Sequence, residues 1–157
     1  MKPRLYLETT IPSYLTAWPS RDLVIAGHQQ VTRDWWQARK NVFDIFISTF
    51  VLDEAGAGDP EAASLRLKII EQLSVLSITD EVETLAKRLL DSQIIPAKAA
   101  LDASHIAISA VHRLDFLMTW NCTHLANAQI KRKVDRVCQD AGYLCPTICT
   151  PEELMGA

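Results

Sequence analysis

The chain of 157 residues sets 16 Lys+Arg against 19 Asp+Glu, a formal charge of −3, and is 48% hydrophobic and 22% charged. That length suits one domain over residues 1–157, and the composition excludes disordered, collagenous and coiled-coil chains. The mild acidity, spread evenly over both halves, excludes a protein that coats nucleic acid through bulk positive charge.

Leu5-Tyr6-Leu7 is short, apolar and followed by Glu8-Thr9-Thr10, the pattern of a buried strand ending in polar residues. A helical stretch follows Pro12, and Leu23 to Asn41 is helical again, with Trp35 and Trp36 near its end. Phe43–Ile47 reads as the second strand; Ser48 or Thr49 then caps a short helix carrying Glu54, which Gly56 and Gly58 break. Asp59-Pro60 pairs an N-cap with Pro at the first helical position and opens a helix to about Leu73. Val75–Ile78 is the third strand, and Asp80-x-x-Glu83 reads as a capping box for the next helix, which ends before Pro96. Lys98 to Arg113 is Ala-rich and helical, Phe116–Trp120 is the fourth strand, and Leu125–Ala141 is helical up to Gly142. Thr147-Ile148-Cys149 is the fifth strand, and Thr150-Pro151-Glu152-Glu153 combines a second capping box with Pro. Strands alternating with helices predict an α/β fold: a three-layer α/β/α sandwich around a central parallel sheet of about five strands.

An acid at Glu8 precedes any apolar run after Met1, which argues against a secretory signal, and no apolar run approaches the ~20 residues of a membrane helix. The expectation is a cytoplasmic protein with no membrane segment. Cys122, Cys138, Cys145 and Cys149 contain no C-x-x-C pair and read as free, mostly buried thiols.

Ligands of open parallel sheets bind at the carboxyl ends of the strands, so the polar residues just past those ends matter most. Glu8 follows strand one. Ser48 and Thr49 end strand two, with Glu54 within two turns and Asp53 beside it as a competitor. Asn121 follows strand four. Asp102 lies about one turn into the helix before strand four and reaches the same edge. Clustered carboxylates repel and raise one another's pKa, and a divalent cation relieves that repulsion. An all-oxygen set suits Mg²⁺ or Mn²⁺, ions that serve phosphodiester hydrolysis by binding phosphate oxygens and activating water.

Other residues stay open between structural and chemical roles. Asp102, His105, Ser109 and His112 form one narrow helical stripe, either an exposed face or a site-facing one. His105 is a substrate or metal contact, or a hydrogen-bonded structural histidine. Thr9 and Thr10 orient Glu8 or a water, or cap a helix. Asp115 reads as a cap of the turn into strand four, and Trp18, Trp35, Trp36 and Trp120 as packing residues. Lys131, Arg132, Lys133 and Arg136 are a phosphate-tracking cluster or a solvated face.

The stretch Tyr6-Leu7-Glu8-Thr9-Thr10-Ile11-Pro12-Ser13-Tyr14 resembles the opening motif of PIN-domain proteins, and so does Val51-Leu52-Asp53-Glu54 with Gly58-Asp59-Pro60. Leu101-Asp102-Ala103-Ser104-His105-Ile106-Ala107 is similar to the third acidic motif of that family. Asp115–His124 and Ile148–Leu154 are similar to its last two strands. The likeness runs over nearly the whole chain in the family's order. It implies a PIN fold and a Mg²⁺- or Mn²⁺-dependent endoribonuclease of the VapC toxin type, which cuts RNA, pairs with a small antitoxin and often forms a homodimer. Carried over, Glu8, Glu54 and Asp102 match the metal-binding acids. The positions of the other residues add Asn121 as a ligand or a group behind the ligands, and Thr9, Thr10 and His105 toward substrate. Two positions depart from the pattern: Glu8 stands where Asp is usual, and Asn121 where a fourth Asp is frequent. Those departures keep open a second reading, a PIN-like module that binds RNA or protein without cutting. A phosphatase-like hydrolase with an aspartyl nucleophile ranks last, since it needs Asp directly after a strand.

Overall fold

Five strands and seven α-helices alternate among residues 1–156, which the computed structural model describes. They are β1 (Arg4–Leu7), α1 (Thr10–Thr16), α2 (Leu23–Arg39), β2 (Asp44–Ser48), α3 (Thr49–Ala55), α4 (Pro60–Ile70), β3 (Ser74–Leu76), α5 (Asp80–Asp91), α6 (Ala100–Val111), β4 (Phe116–Met118), α7 (Ala128–Asp140) and β5 (Thr147–Cys149). All strand pairs are parallel, in the order β3-β2-β1-β4-β5. Parallel neighbours need crossovers, and crossovers are right-handed; with this order, that places α1 to α4 on one face and α5 to α7 on the other. The result is the three-layer α/β/α sandwich with five strands that the alternation predicts.

The strand order reverses between β1 and β4, and these central strands are the most apolar. Leu5, Tyr6, Leu7, Leu117 and Met118 are fully buried, whereas the edge strand β3 buries only Leu76. Helices on both faces cover the middle of a parallel sheet, so its strands lose the polar alternation of a half-exposed sheet. Tyr6 stands in register with Phe46 on one side and Leu117 on the other. Trp35 is buried against Phe43, with ring centroids 5.6 Å apart, and donates its indole N–H to the Leu154 carbonyl at 3.2 Å. No helix among the described residues is long and apolar enough to cross a membrane.

Several local expectations give way to the observed hydrogen bonds. Thr79, not Asp80, caps α5: its hydroxyl accepts the Val82 N–H at 3.4 Å, and Asp80 is already helical. Ser48 caps no amide with its side chain, because its hydroxyl is engaged with Tyr6. α4 stops at Ile70, and α7 starts at Ala128, where Asn127 accepts the Gln129 N–H at 2.9 Å. β4 ends at Met118. Thr119 still reaches the Cys149 carbonyl (2.9 Å), but the Trp120 N–H turns to the Thr10 hydroxyl (2.8 Å). In the second expected capping box, Glu153 accepts the Thr150 N–H at 3.0 Å, but only a short 3₁₀ turn over Glu152–Leu154 follows. Asp115 accepts the Arg4 N–H at 2.7 Å and so ties the starts of β1 and β4 together.

The α6 stripe faces inward, with His105 and Ser109 fully buried, so it is not a solvated face. Trp18 departs from the packing role and is 92% exposed. All four cysteines are free thiols; Cys138 and Cys149 are buried, Cys145 half-buried and Cys122 exposed.

Candidate metal centre

The site lies at the switch point of the sheet, beyond the carboxyl ends of β1 and β4. Glu8 is the first residue past β1, and its N–H still bonds the Met118 carbonyl of β4 at 3.1 Å, so the ladder itself fixes where the side chain leaves the sheet. Glu8 is 4% exposed. Its Oε1 accepts the hydroxyls of Thr10 (2.6 Å) and Thr119 (2.5 Å), and its Oε2 accepts the Thr10 N–H (3.2 Å). The Thr10 hydroxyl donates to Glu8 while accepting from the Trp120 amide, so the start of α1 and the end of β4 grip one carboxylate together. Burial raises the Glu8 pKa, against the opposing pull of the His105 charge, the two hydroxyls and the amide.

Glu54 comes from the last turn of α3 and is half-buried, whereas its neighbour Asp53 is exposed and takes no part. Glu54 Oε1 accepts the Thr9 hydroxyl at 2.8 Å and meets His105 Nε2 at 2.7 Å. Burial pushes the Glu54 carboxyl up, but the hydrogen bond and charge of His105, with the Thr9 hydroxyl, outweigh it and hold the pKa below the ordinary value. His105 is fully buried in α6, and Phe50 packs edge-on to it at 6.3 Å. Its Nδ1 lies 2.6 Å from the Tyr6 hydroxyl, which is 2.7 Å from the Ser48 hydroxyl. A chain of four polar groups thus runs from Ser48 under the sheet edge to Glu54. Burial raises the Tyr6 pKa far enough to keep the phenol neutral, able both to donate and to accept. One donor atom each from Glu8, Glu54 and His105 lie within 4.8 Å of one another.

Asp102, in the first turn of α6, stands beside this group rather than in it. Its Oδ1 accepts from Asn121 Nδ2 at 3.2 Å, and its Oδ2 lies 3.3 Å from His124 Nδ1. Burial raises its pKa, with Glu54 adding repulsion, while His105, His124 and Asn121 oppose the rise. Asn121 turns its amide nitrogen to Asp102, and its oxygen accepts the backbone N–H groups of Thr123 (3.2 Å) and His124 (3.0 Å). Its oxygen fastens the loop after β4, and its nitrogen fastens Asp102.

The structure thus brings Glu8, Glu54, Thr9, Thr10 and His105 into one hydrogen-bonded cluster and sets Asp102 and Asn121 at its edge. Thr9 holds Glu54 and Thr10 holds Glu8. Tyr6 and Thr119 are participants that the sequence does not single out, and Ser48 is singled out only as a strand end or helix cap. The available signal for Tyr6 was a phenol in the middle of a buried strand, which must find a polar partner. Thr119 and Ser48 both directly follow or end strands, the position that identifies Glu8. Among the described residues, no Lys or Arg pairs with these acids, whose close partners of basic type are the imidazoles of His105 and His124, so a divalent ion has charge to neutralise here. Two carboxylates and an imidazole, with Asp102 adjacent, are a donor set that fits such an ion.

No family model and no curated sequence matches the chain. Among solved structures, it is similar to VapC20 of Mycobacterium tuberculosis, a sarcin-ricin loop cleaving toxin, with a TM-score of 0.60 at 14% identity over 76% of this chain and 92% of that one. It is also similar to VapBC2 from Rickettsia felis, solved bound to a DNA fragment from its promoter, with a TM-score of 0.54 at 16% identity over 93% and 97% of the two chains. The likeness is one of fold: the chain has the VapC-like PIN-domain fold that its motifs imply.

Proposed function

We propose that the protein is a metal-dependent endoribonuclease that hydrolyses RNA phosphodiester bonds as the toxin of a toxin–antitoxin pair. The observation that carries this reading is the meeting of Glu8 and Glu54 at the switch point, with Asp102 beside them, in a fold shared with a sarcin-ricin loop cleaving toxin. Glu8, Glu54 and Asp102 would hold Mg²⁺ or Mn²⁺, and Asn121 would act through Asp102 by fixing its carboxylate. Such an ion supplies phosphate binding, activation of the attacking water and stabilisation of the leaving oxygen. The chain's own residues do the positioning. Thr10 and Thr119 fix Glu8, Thr9 and His105 fix Glu54, and the buried carboxylates make the pocket hostile to bare phosphate until a cation is present.

The molecule would act in the cytoplasm as a single domain over residues 1–157, paired with an antitoxin, a reading that the likeness to VapBC2 supports, and as a homodimer when active. Structured RNAs incubated with the purified protein and Mn²⁺ should be cut, and Asp102→Asn and Glu54→Gln should each lower the rate at least about 100-fold, the scale of several kcal/mol of lost charge stabilisation. Equal cleavage by wild type and both variants would overturn the assignment. A binding module that does not cut is the second reading, favoured by the engagement of the Asn121 oxygen with backbone amides. RNA binding without cleavage at saturating Mn²⁺ would select it.

A further inference from the structure

His105 has no counterpart among the metal-binding acids that the family resemblance implies, yet it belongs to the same cluster of donor atoms as Glu8 and Glu54. Its ring is fully buried, so packing sets its position, not solvent. Its orientation is the one a coordinating imidazole needs. Nε2 points at the carboxylates, and Nδ1 points away, 2.6 Å from the Tyr6 hydroxyl. A histidine that binds an ion through one nitrogen carries its proton on the other and needs an acceptor there. The Tyr6 oxygen is that acceptor, and the phenol can pass its own proton on to Ser48 at 2.7 Å. Because hydroxyls donate and accept alike, this chain serves either tautomer of the ring without moving a heavy atom.

The spacing agrees. Two donors about 2.1 Å from one ion and at right angles to each other stand about 3 Å apart. The 2.7 Å contact between His105 Nε2 and Glu54 Oε1 is close to that separation, so a shared ion can replace their mutual hydrogen bond with little side-chain motion. Asp102, whose oxygens are engaged by Asn121 and His124, stands beside these donors rather than among them.

We propose that His105 ligates, through Nε2, the ion held by Glu8 and Glu54, and that this imidazole makes the site select Mn²⁺ over Mg²⁺. The inference rests on the metal-dependent reading above and adds a ligand and a preference to it. Mg²⁺ keeps to oxygen donors and gives up its water reluctantly, whereas imidazole suits first-row transition ions. One nitrogen in the donor set therefore separates two ions that carboxylates alone would bind more evenly.

The test is pulsed electron paramagnetic resonance on the intact wild-type protein loaded with Mn²⁺. A directly bound imidazole gives a ¹⁴N coupling that becomes ¹⁵N when the histidines are ¹⁵N-labelled; it should persist in His124→Gln and vanish in His105→Gln. Calorimetry should show His105→Gln losing about 10–100-fold in Mn²⁺ affinity with little change toward Mg²⁺. If His105→Gln is unstable, the labelled wild type and His124→Gln decide the matter together, since a histidine coupling that survives loss of His124 leaves His105 as the ring within reach of the cluster. Mn²⁺ bound with no nitrogen coupling, or with a coupling that His124→Gln abolishes, would overturn the inference and leave the metal-dependent reading intact. No Mn²⁺ binding at millimolar concentration would overturn both.

Discussion

Threonine hydroxyls set two of the carboxylates at the switch point: those of Thr10 and Thr119 hold Glu8, and that of Thr9 holds Glu54. Thr10 is the most exposed to test, because one hydroxyl serves Glu8 and the Trp120 amide together. Thr10→Val leaves the Trp120 amide without its acceptor and the Glu8 carboxylate with one donor fewer. It should cost about 1.5–3 kcal/mol of stability, read from chemical denaturation, and weaken Mn²⁺ binding about 10–100-fold by calorimetry. Thr16, a surface-side threonine whose hydroxyl only bonds the Pro12 carbonyl, is the control, and Thr16→Val should leave Mn²⁺ binding unchanged. Glu8, Glu54, Asp102 and Asn121 were legible because they follow strands or lie on a helix leading to one. Tyr6 was not, because a run of Leu-Tyr-Leu reads as plain core, and only the register with β2 reveals that its hydroxyl meets Ser48.

At the scale of elements, the existence and order of strands and helices followed from hydrophobic runs and turn residues, but helix starts did not. Asp80 and Thr79 are both good caps, and sequence alone chose the one with Glu three residues on. The chain chose Thr79, whose extended backbone precedes the first helical residue. Thr79→Ala should therefore lower stability by about 1 kcal/mol and Asp80→Ala by clearly less, a comparison that thermal melts of the two variants decide. The α6 stripe illustrates the same limit. Spacing put Asp102, His105 and Ser109 on one face, yet only the packing of α6 over the sheet turns that face inward. The cysteines follow burial. The Cys149 thiol is pushed up to about 12, by burial first and by Glu153 second, and Cys145 is pushed higher still by its hydrogen bond to Cys138 and by burial. Cys122, exposed after β4, should be the first thiol alkylated under native conditions, as peptide mapping after limited labelling would show.

For the whole molecule, the buried acids couple pH, metal and stability. Burial places the Glu8 carboxyl above its ordinary 4.5, so the folded, metal-free chain holds that proton more tightly than the unfolded chain. The stability this lends is complete below about pH 4.5 and is lost as pH rises through the folded value. Asp102 acts in the same direction. Glu54, set lower than ordinary, acts oppositely, its contribution lost only as pH falls through its depressed value. A divalent ion needs Glu8 ionised, so its benefit should appear on the high-pH side. At about pH 8 and an Mn²⁺ concentration of about 100 times Kd, the gain should be about 2.7 kcal/mol, or 5–10 °C in Tm, and at about pH 4.5 it should be nearly absent. Thermal shift assays with and without Mn²⁺ at both pH values check this; an equal shift at both would separate metal binding from Glu8. The parallel α/β architecture was readable because it depends only on the alternation of elements, which local sequence encodes. Which residues meet at the switch point depends on strand order, which no local pattern states.

The bond between Thr119 and Glu8 joins residues 111 apart, and it has a consequence for synthesis. A ribosome delivers β1, its acid and Thr10 early, but the Thr119 hydroxyl and Met118 carbonyl that hold Glu8 from across the sheet, and the Trp120 amide that holds Thr10, belong to β4 or the residues just after it. A nascent chain that has not yet docked β4 has carboxylates but no pocket. Whatever the finished pocket does is therefore withheld from a chain that stops before β4.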